Sequence, residues 1–84
     1  HLDASKKAIA WAKDNQAASD IPSNSVRWIC DDAMEFVARE VRRGSKYDGI
    51  ILDPPRFGRG PDGQRWQIEE HLSDLMKACA ALLS

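Results

Sequence analysis

Apolar positions recur along this chain in three helical stripes, separated by short β-branched runs. From Ser5 to about Ala18 the residues are good helix formers, with Ala8, Ile9, Trp11 and Ala12 as the apolar stripe. Lys6, Lys7, Lys13 and Asp14 lie off that stripe. From about Ala33 to Arg43, the residues Met34, Phe36, Val37 and Val41 form a second inward face. Gly44 follows where a left-handed residue ends a helix, and Arg39, Arg42 and Arg43 suit the negative end of the helix dipole. From about Ile68 to Leu83, the residues Leu72, Leu75, Met76, Cys79 and Leu82 recur at i, i+3, i+4, i+7 and i+10. Val26-Arg27-Trp28-Ile29-Cys30 and Tyr47 to Leu52 have strand composition, and His1 to Ala4 resembles the end of a strand. Residues 20–25 and 54–65 are loops by composition, the second carrying Gly58, Gly60 and the turn signal Pro61-Asp62-Gly63.

Strand followed by helix, three times over, predicts an α/β fold: a doubly wound parallel sheet with helices on both faces and right-handed crossovers. A length of 84 residues suits at most one small domain. The chain opens at a strand end without an initiator methionine and finishes as a helix finishes. It is expected to be an internal part of a larger domain.

Composition changes this picture little. Hydrophobic content of 43% and charged content of 30% fit a globular chain. A net charge of −1 leaves no bulk footprint of a nucleic-acid binder. Arg39, Arg42, Arg43 and Lys46 make a local basic cluster, which suits either RNA phosphates or a solvated helix end. No apolar run is long enough to span a bilayer, and no signal-peptide pattern opens the chain. Cys30 and Cys79 have no metal-ligand spacing and are expected to be buried thiols, so the cytoplasm is the default compartment.

The candidate chemistry lies at strand ends. In Asp48-Gly49-Ile50-Ile51-Leu52-Asp53-Pro54-Pro55-Arg56-Phe57-Gly58 an apolar strand stops at an aspartate and turns on two prolines. Each proline fixes its own φ and donates no hydrogen bond, and Pro54 pushes Asp53 out of the helical region. A carboxylate is thus held at the carboxyl end of a strand, where open α/β sheets bind ligands. The other strands also end in acids, Asp3 and the pair Asp31-Asp32. Asp3 suits two ribose hydroxyls, and Asp32 suits an exocyclic amine such as that of adenine. Ala4 and Ala33 are small enough to let a flat ring lie close. Structural roles compete and are compatible: Asp3 can cap the helix beginning near Ser5, and Asp32 with Glu35 forms a capping-box pattern. Asp31 is the second choice of its pair, and a shift of register exchanges the two.

With these residues in view, the chain resembles the middle of an S-adenosylmethionine-dependent methyltransferase of Rossmann-like fold. It is most similar to the bacterial ribosomal RNA methyltransferases whose fourth strand ends in Asp-Pro-Pro-Lys/Arg-Phe. Three segments carry the resemblance: Leu2 to Ala8 with Trp11, Ala12 and Asn15; Asp31-Asp32-Ala33 with Phe36; and Tyr47 to Gly58. The resemblance implies S-adenosylmethionine as cofactor and RNA as partner. It implies that Asp3 and Ala4 meet the ribose and adenine, that Asp32 and Ala33 meet the adenine amine and ring edge, and that Asp53, Pro54 and Pro55 form the catalytic corner. Arg56 then suits either holding a phosphate, stacking on a base, or standing as a solvated loop arginine, and Phe57 suits stacking on the target base or packing under its loop. Trp66 is expected to anchor the far end of that loop, and His71 to be exposed. The chain lacks the glycine-rich loop of such proteins, and the first and C-terminal strands fall outside it. Arg56 stands where amino-methylating relatives carry an aromatic residue. No cysteine lies near Asp53, so a carbon-directed nucleophile would lie beyond Ser84. Two readings compete: a nicotinamide-dependent oxidoreductase, since Asp3 also suits that cofactor's ribose, and a non-catalytic nucleotide-binding piece.

Overall fold

Helix boundaries in the computed structural model, which describes residues 1–84, follow the capping residues. The elements are β1 (Leu2–Asp3), α1 (Lys6–Ala18), β2 (Ile29–Cys30), α2 (Ala33–Arg43), β3 (Phe57–Arg59), β4 (Arg65–Gln67) and α3 (Ile68–Leu82). Ser5 caps α1, its Oγ accepting from the Ala8 N–H at 3.1 Å. Asp32 caps α2, accepting from the Glu35 N–H at 3.0 Å. Gly44 ends α2 at φ 71°, a left-handed turn that closes the last carbonyls of the helix onto the N–H groups of Gly44 and Ser45.

The fold is α/β, but the sheet is smaller than the sequence pattern predicts. β1 and β2 pair in parallel, Leu2 with Ile29 and Asp3 with Cys30. α1 lies on both strands, whereas α2 packs on α3. The ladder begins only where the Ile29 N–H meets the His1 carbonyl at 2.9 Å, so Val26 to Trp28 remain outside it. The predicted strand from Tyr47 to Leu52 is not formed. Tyr47 makes an isolated parallel bridge to Leu83, and residues 48–54 make no backbone hydrogen bond. No neighbouring strand is present to complete that ladder. The predicted loop 54–65 in turn contains an antiparallel hairpin of β3 and β4, in the register Phe57 with Gln67, Gly58 with Trp66 and Arg59 with Arg65.

The core is the cluster Val37, Leu75, Cys79 and Leu82, with Ala33, Met34, Phe36, Tyr47, Ile50, Trp66 and Ala78 packed against it. Four of the expected inward residues lie elsewhere. Trp11 is 70% exposed, because α1 turns Ile9, Ala12 and Gln16 inward instead. Gln16 is buried with both amide atoms used, accepting from Trp28 Nε1 and donating to the Pro22 carbonyl, each at 2.9 Å. Val41 is exposed because the inward position of that turn belongs to Glu40, which receives hydrogen bonds from the Tyr47 hydroxyl and from Ser45 Oγ. Met76 is exposed beside the narrower stripe Leu75, Cys79 and Leu82. Cys30 is exposed rather than buried: strand alternation turns it away from Ile29, and its Sγ lies 3.6 Å from the Ala4 carbonyl. Cys79 is buried, and burial pushes its thiol above its ordinary pKa.

Candidate functional site

The parallel register of β1 and β2 brings Asp3 and the Asp31-Asp32 pair to one edge, and the Asp31 N–H donates to the Asp3 carbonyl at 3.1 Å. Asp3 does not cap α1. Its Oδ1 accepts from the Ser5 N–H at 2.8 Å, in a turn just ahead of the cap, and Oδ2 has no partner within the protein. The two acids that follow β2 differ sharply. Asp31 spends both oxygens internally, Oδ1 on the Asp32 N–H at 2.8 Å and Oδ2 on Arg39 at 2.5 Å. Asp32 is 9% exposed, commits Oδ2 to the cap and leaves Oδ1 unpartnered. The capping box is therefore half made, because Glu35 turns its carboxylate to Gln64 Nε2 at 3.0 Å instead of back to Asp32. Ala4 and Ala33 are both half-buried beside these acids.

Asp53 stands on the unpaired segment 48–54, exposed, with no hydrogen-bond or ion-pair partner. No ladder ties it to β1 or β2. Its corner is held from the other side. The Pro55 carbonyl accepts from Trp66 Nε1 at 2.6 Å, while the Asp53 and Pro54 carbonyls accept from no protein donor. Trp66 thus anchors the loop as expected. Phe57 does not pack under the loop; it is 62% exposed, with the Arg56 guanidinium 5.8 Å from its ring centre. Arg56 pairs with Glu69 at 3.5 Å and Arg65 with Glu70 at 3.2 Å.

The expected basic cluster is partly neutralised. Arg39 is held by Asp31, Arg43 lies 3.7 Å from Glu40, and Lys46 Nζ donates to the Ala81 carbonyl. His71 is not a free surface residue. Its Nδ1 accepts from the Gln67 N–H at 2.9 Å at the start of α3, where Gln67 offers no side-chain cap, and its ring stacks on Trp66 at 5.5 Å. A polar residue one helical turn into α3 was the only sequence signal of that cap.

The open groups at this edge are hydrogen-bond acceptors. Two acids on one edge each keep a free oxygen, next to alanines that present little bulk.

No protein-family model matches the chain. Individual proteins do. The crystal structure of the SAM-dependent methyltransferase from Agrobacterium tumefaciens superposes on all of this chain with a TM-score of 0.97 and 54% sequence identity, over 27% of its own length. Ribosomal RNA large subunit methyltransferase I of Salmonella arizonae is 30% identical over 78 residues, which is 93% of this chain and 17% of that protein. Its counterpart from an Enterobacter species is 28% identical over 78 residues. The chain spans between 15% and 19% of the length of curated relatives it matches. In sequence and in backbone, these 84 residues belong with the S-adenosylmethionine-dependent methyltransferases.

Proposed function

We propose that the protein transfers a methyl group from S-adenosylmethionine to a base of RNA, ribosomal RNA above all, and that this chain is the middle of its catalytic domain. On this reading β1 and β2 are adjacent strands of a larger Rossmann-like doubly wound parallel sheet, and the protein works on RNA in the cytoplasm. The observation that carries the reading is the pair of unused oxygens on Asp3, which ends β1, and Asp32, which follows β2, the two strands being paired in a two-residue parallel register. The names of the relatives support the cofactor and the RNA class.

The roles follow from what each atom has left to offer. Asp3 Oδ2 accepts from the ribose hydroxyls, and Ala4 lets the adenine lie flat on the backbone. Asp32 Oδ1 accepts from the adenine amine, beside the Ala33 backbone. Asp31 is excluded from that task by Arg39. At the corner, the Asp53 carboxylate and the Pro54 carbonyl are the open acceptors for a polar edge of the target base. Pro55 shapes the corner. Phe57 offers an exposed ring for stacking, and Arg56 a guanidinium beside it. Bound S-adenosylmethionine supplies an already activated methyl group. The residues of this chain therefore need only align donor and acceptor and exclude water, which is where most of the rate arises.

Isothermal titration of the intact protein tests this. It should bind S-adenosylmethionine, and Asp3→Ala should weaken that binding at least tenfold, about 1.4 kcal/mol. Binding of a nicotinamide dinucleotide without S-adenosylmethionine would refute the proposal.

A further inference from the structure

The diproline corner does not place itself. Residues 48–54 make no backbone hydrogen bond, and Asp53 has no side-chain partner. Ile50 packs on the core cluster, and the first hydrogen bond along this segment is at the Pro55 carbonyl, two residues beyond the carboxylate, where Trp66 Nε1 donates at 2.6 Å. Trp66 stands in β4 opposite Gly58 of β3, close enough that a Cβ there would meet it at ordinary van der Waals distance. A Cβ on Gly58 would lie 3.5 Å from Pro55 Cγ and 4.0 Å from two atoms of Trp66. The indole is itself fixed, because it stacks on His71 with ring centres 5.5 Å apart and planes at 29°. His71 in turn is locked by accepting the Gln67 N–H through Nδ1. An unbroken series of contacts therefore runs from the start of α3 through His71 and Trp66 to Pro55.

We propose that Trp66, steadied by His71, is a positioning residue that sets where Asp53 and Pro54 present their acceptors to the target base. The inference rests on the role given above to that corner. Two consequences follow from the geometry. The Pro55 carbonyl is engaged by the indole, so the open hydrogen-bond acceptors of the corner are those of Asp53 and Pro54, with Phe57 and Arg56 beside them. The rigidity of the two prolines is useful only because one end is clamped, since an unclamped rigid corner swings as a unit.

The test uses the intact protein with tritiated S-adenosylmethionine and an unmodified transcript of large-subunit ribosomal RNA. Trp66→Phe keeps an aromatic ring against His71 but removes the donor. It should lower kcat by about tenfold or more, because a misplacement on the order of 1 Å costs up to about a hundredfold. The dissociation constant for S-adenosylmethionine should stay within about twofold, since Asp3 and Asp32 are held by other contacts. Trp66→His, which retains a ring N–H, should restore part of kcat. An unchanged kcat in Trp66→Phe would overturn the inference. So would a parallel loss of kcat and cofactor affinity that Trp66→His does not relieve, which is the mark of a merely structural role. Asp53→Ala is the control: full activity in that variant defeats the corner assignment itself, whereas loss there with a normal Trp66→Phe defeats only the positioning role.

Discussion

Asp32 uses its two oxygens differently, and that makes its cap and its ligand role separable. Oδ2 satisfies the Glu35 N–H, and Oδ1 faces no protein donor. Asp32→Ala removes both functions and should cost about 0.5–2 kcal/mol of stability through loss of the cap. Asp32→Ser keeps a capping oxygen, so thermal unfolding should stay near wild type while affinity for S-adenosylmethionine falls as far as in Asp32→Ala. Calorimetry paired with titration checks the two quantities on the same samples, and an unaltered affinity in both variants would remove Asp32 from the ligand set. Glu40 shows the opposite case, a buried acid with every contact internal. The Tyr47 hydroxyl, with help from Ser45 and Arg43, holds its carboxyl below the ordinary value of 4.5 and in return holds the tyrosine above its ordinary 10.0. Folding therefore favours ionised Glu40 and neutral Tyr47. The Glu40 contribution is complete above pH 4.5 and fades as pH falls through the lowered folded value, while that of Tyr47 is complete below pH 10.0 and fades as pH rises through the raised one. Unfolding midpoints of the intact protein against pH should show a shallower acid limb in Glu40→Gln than in wild type.

Among the elements, the helices were legible because their signals are local. Ser5, Asp32 and Gly44 mark ends that the backbone respects, and the spacing of Leu75, Cys79 and Leu82 gives the buried face of α3 directly. Asp3 and Asp32 were legible for the same reason, since each stands between a strand and a helix start. The hairpin was not. Its strands are three residues each and carry arginine, glycine and glutamine rather than β-branched residues, so composition points to a loop. What forms it is tertiary: Trp66 on Pro55, and Gln64 reaching Glu35 near the start of α2. The converse error arose at Tyr47 to Leu52, where strand propensity is strong but no strand lies alongside to pair with it. Gly60 is the place to test the hairpin's attachment. A Cβ there would meet Gln64 Oε1 at 2.1 Å and Gln64 Cβ at 3.0 Å, and Gln64 also accepts from the Asp62 N–H. Gly60→Ala should push Gln64 out of its contacts and release the loop from Glu35. Hydrogen exchange of the Gly63 and Gly60 amides, both bonded within the turn, should then accelerate while exchange within α2 is little changed.

The molecule as a whole pairs a helical layer with two separate two-stranded sheets. Only 8 of 84 residues are buried, and the buried hydrophobic cluster is four side chains, too small a core to offset the ordering of the chain. The open side is equally telling. Ile50 packs on that cluster, but alternation turns Ile51 the other way, where it is 100% exposed, and Leu52 is 40% exposed. Every backbone N–H and C=O from residue 48 to 54 lacks a protein partner, apart from the donors that prolines do not have. An apolar segment with unused hydrogen-bonding groups is a template for strand addition, and in isolation it is expected to recruit other copies. The 84-residue chain expressed alone should therefore associate in a concentration-dependent way and melt without a cooperative transition. Ile51→Lys places a charge on the bare segment and should suppress association, as edge charges do in natural sheets. It should leave the melt broad, because a single charge adds nothing to the core. Light scattering reads the first effect and calorimetry the second. A sharp, concentration-independent transition in the unsubstituted chain would mean that the helical layer holds itself together without any further strand.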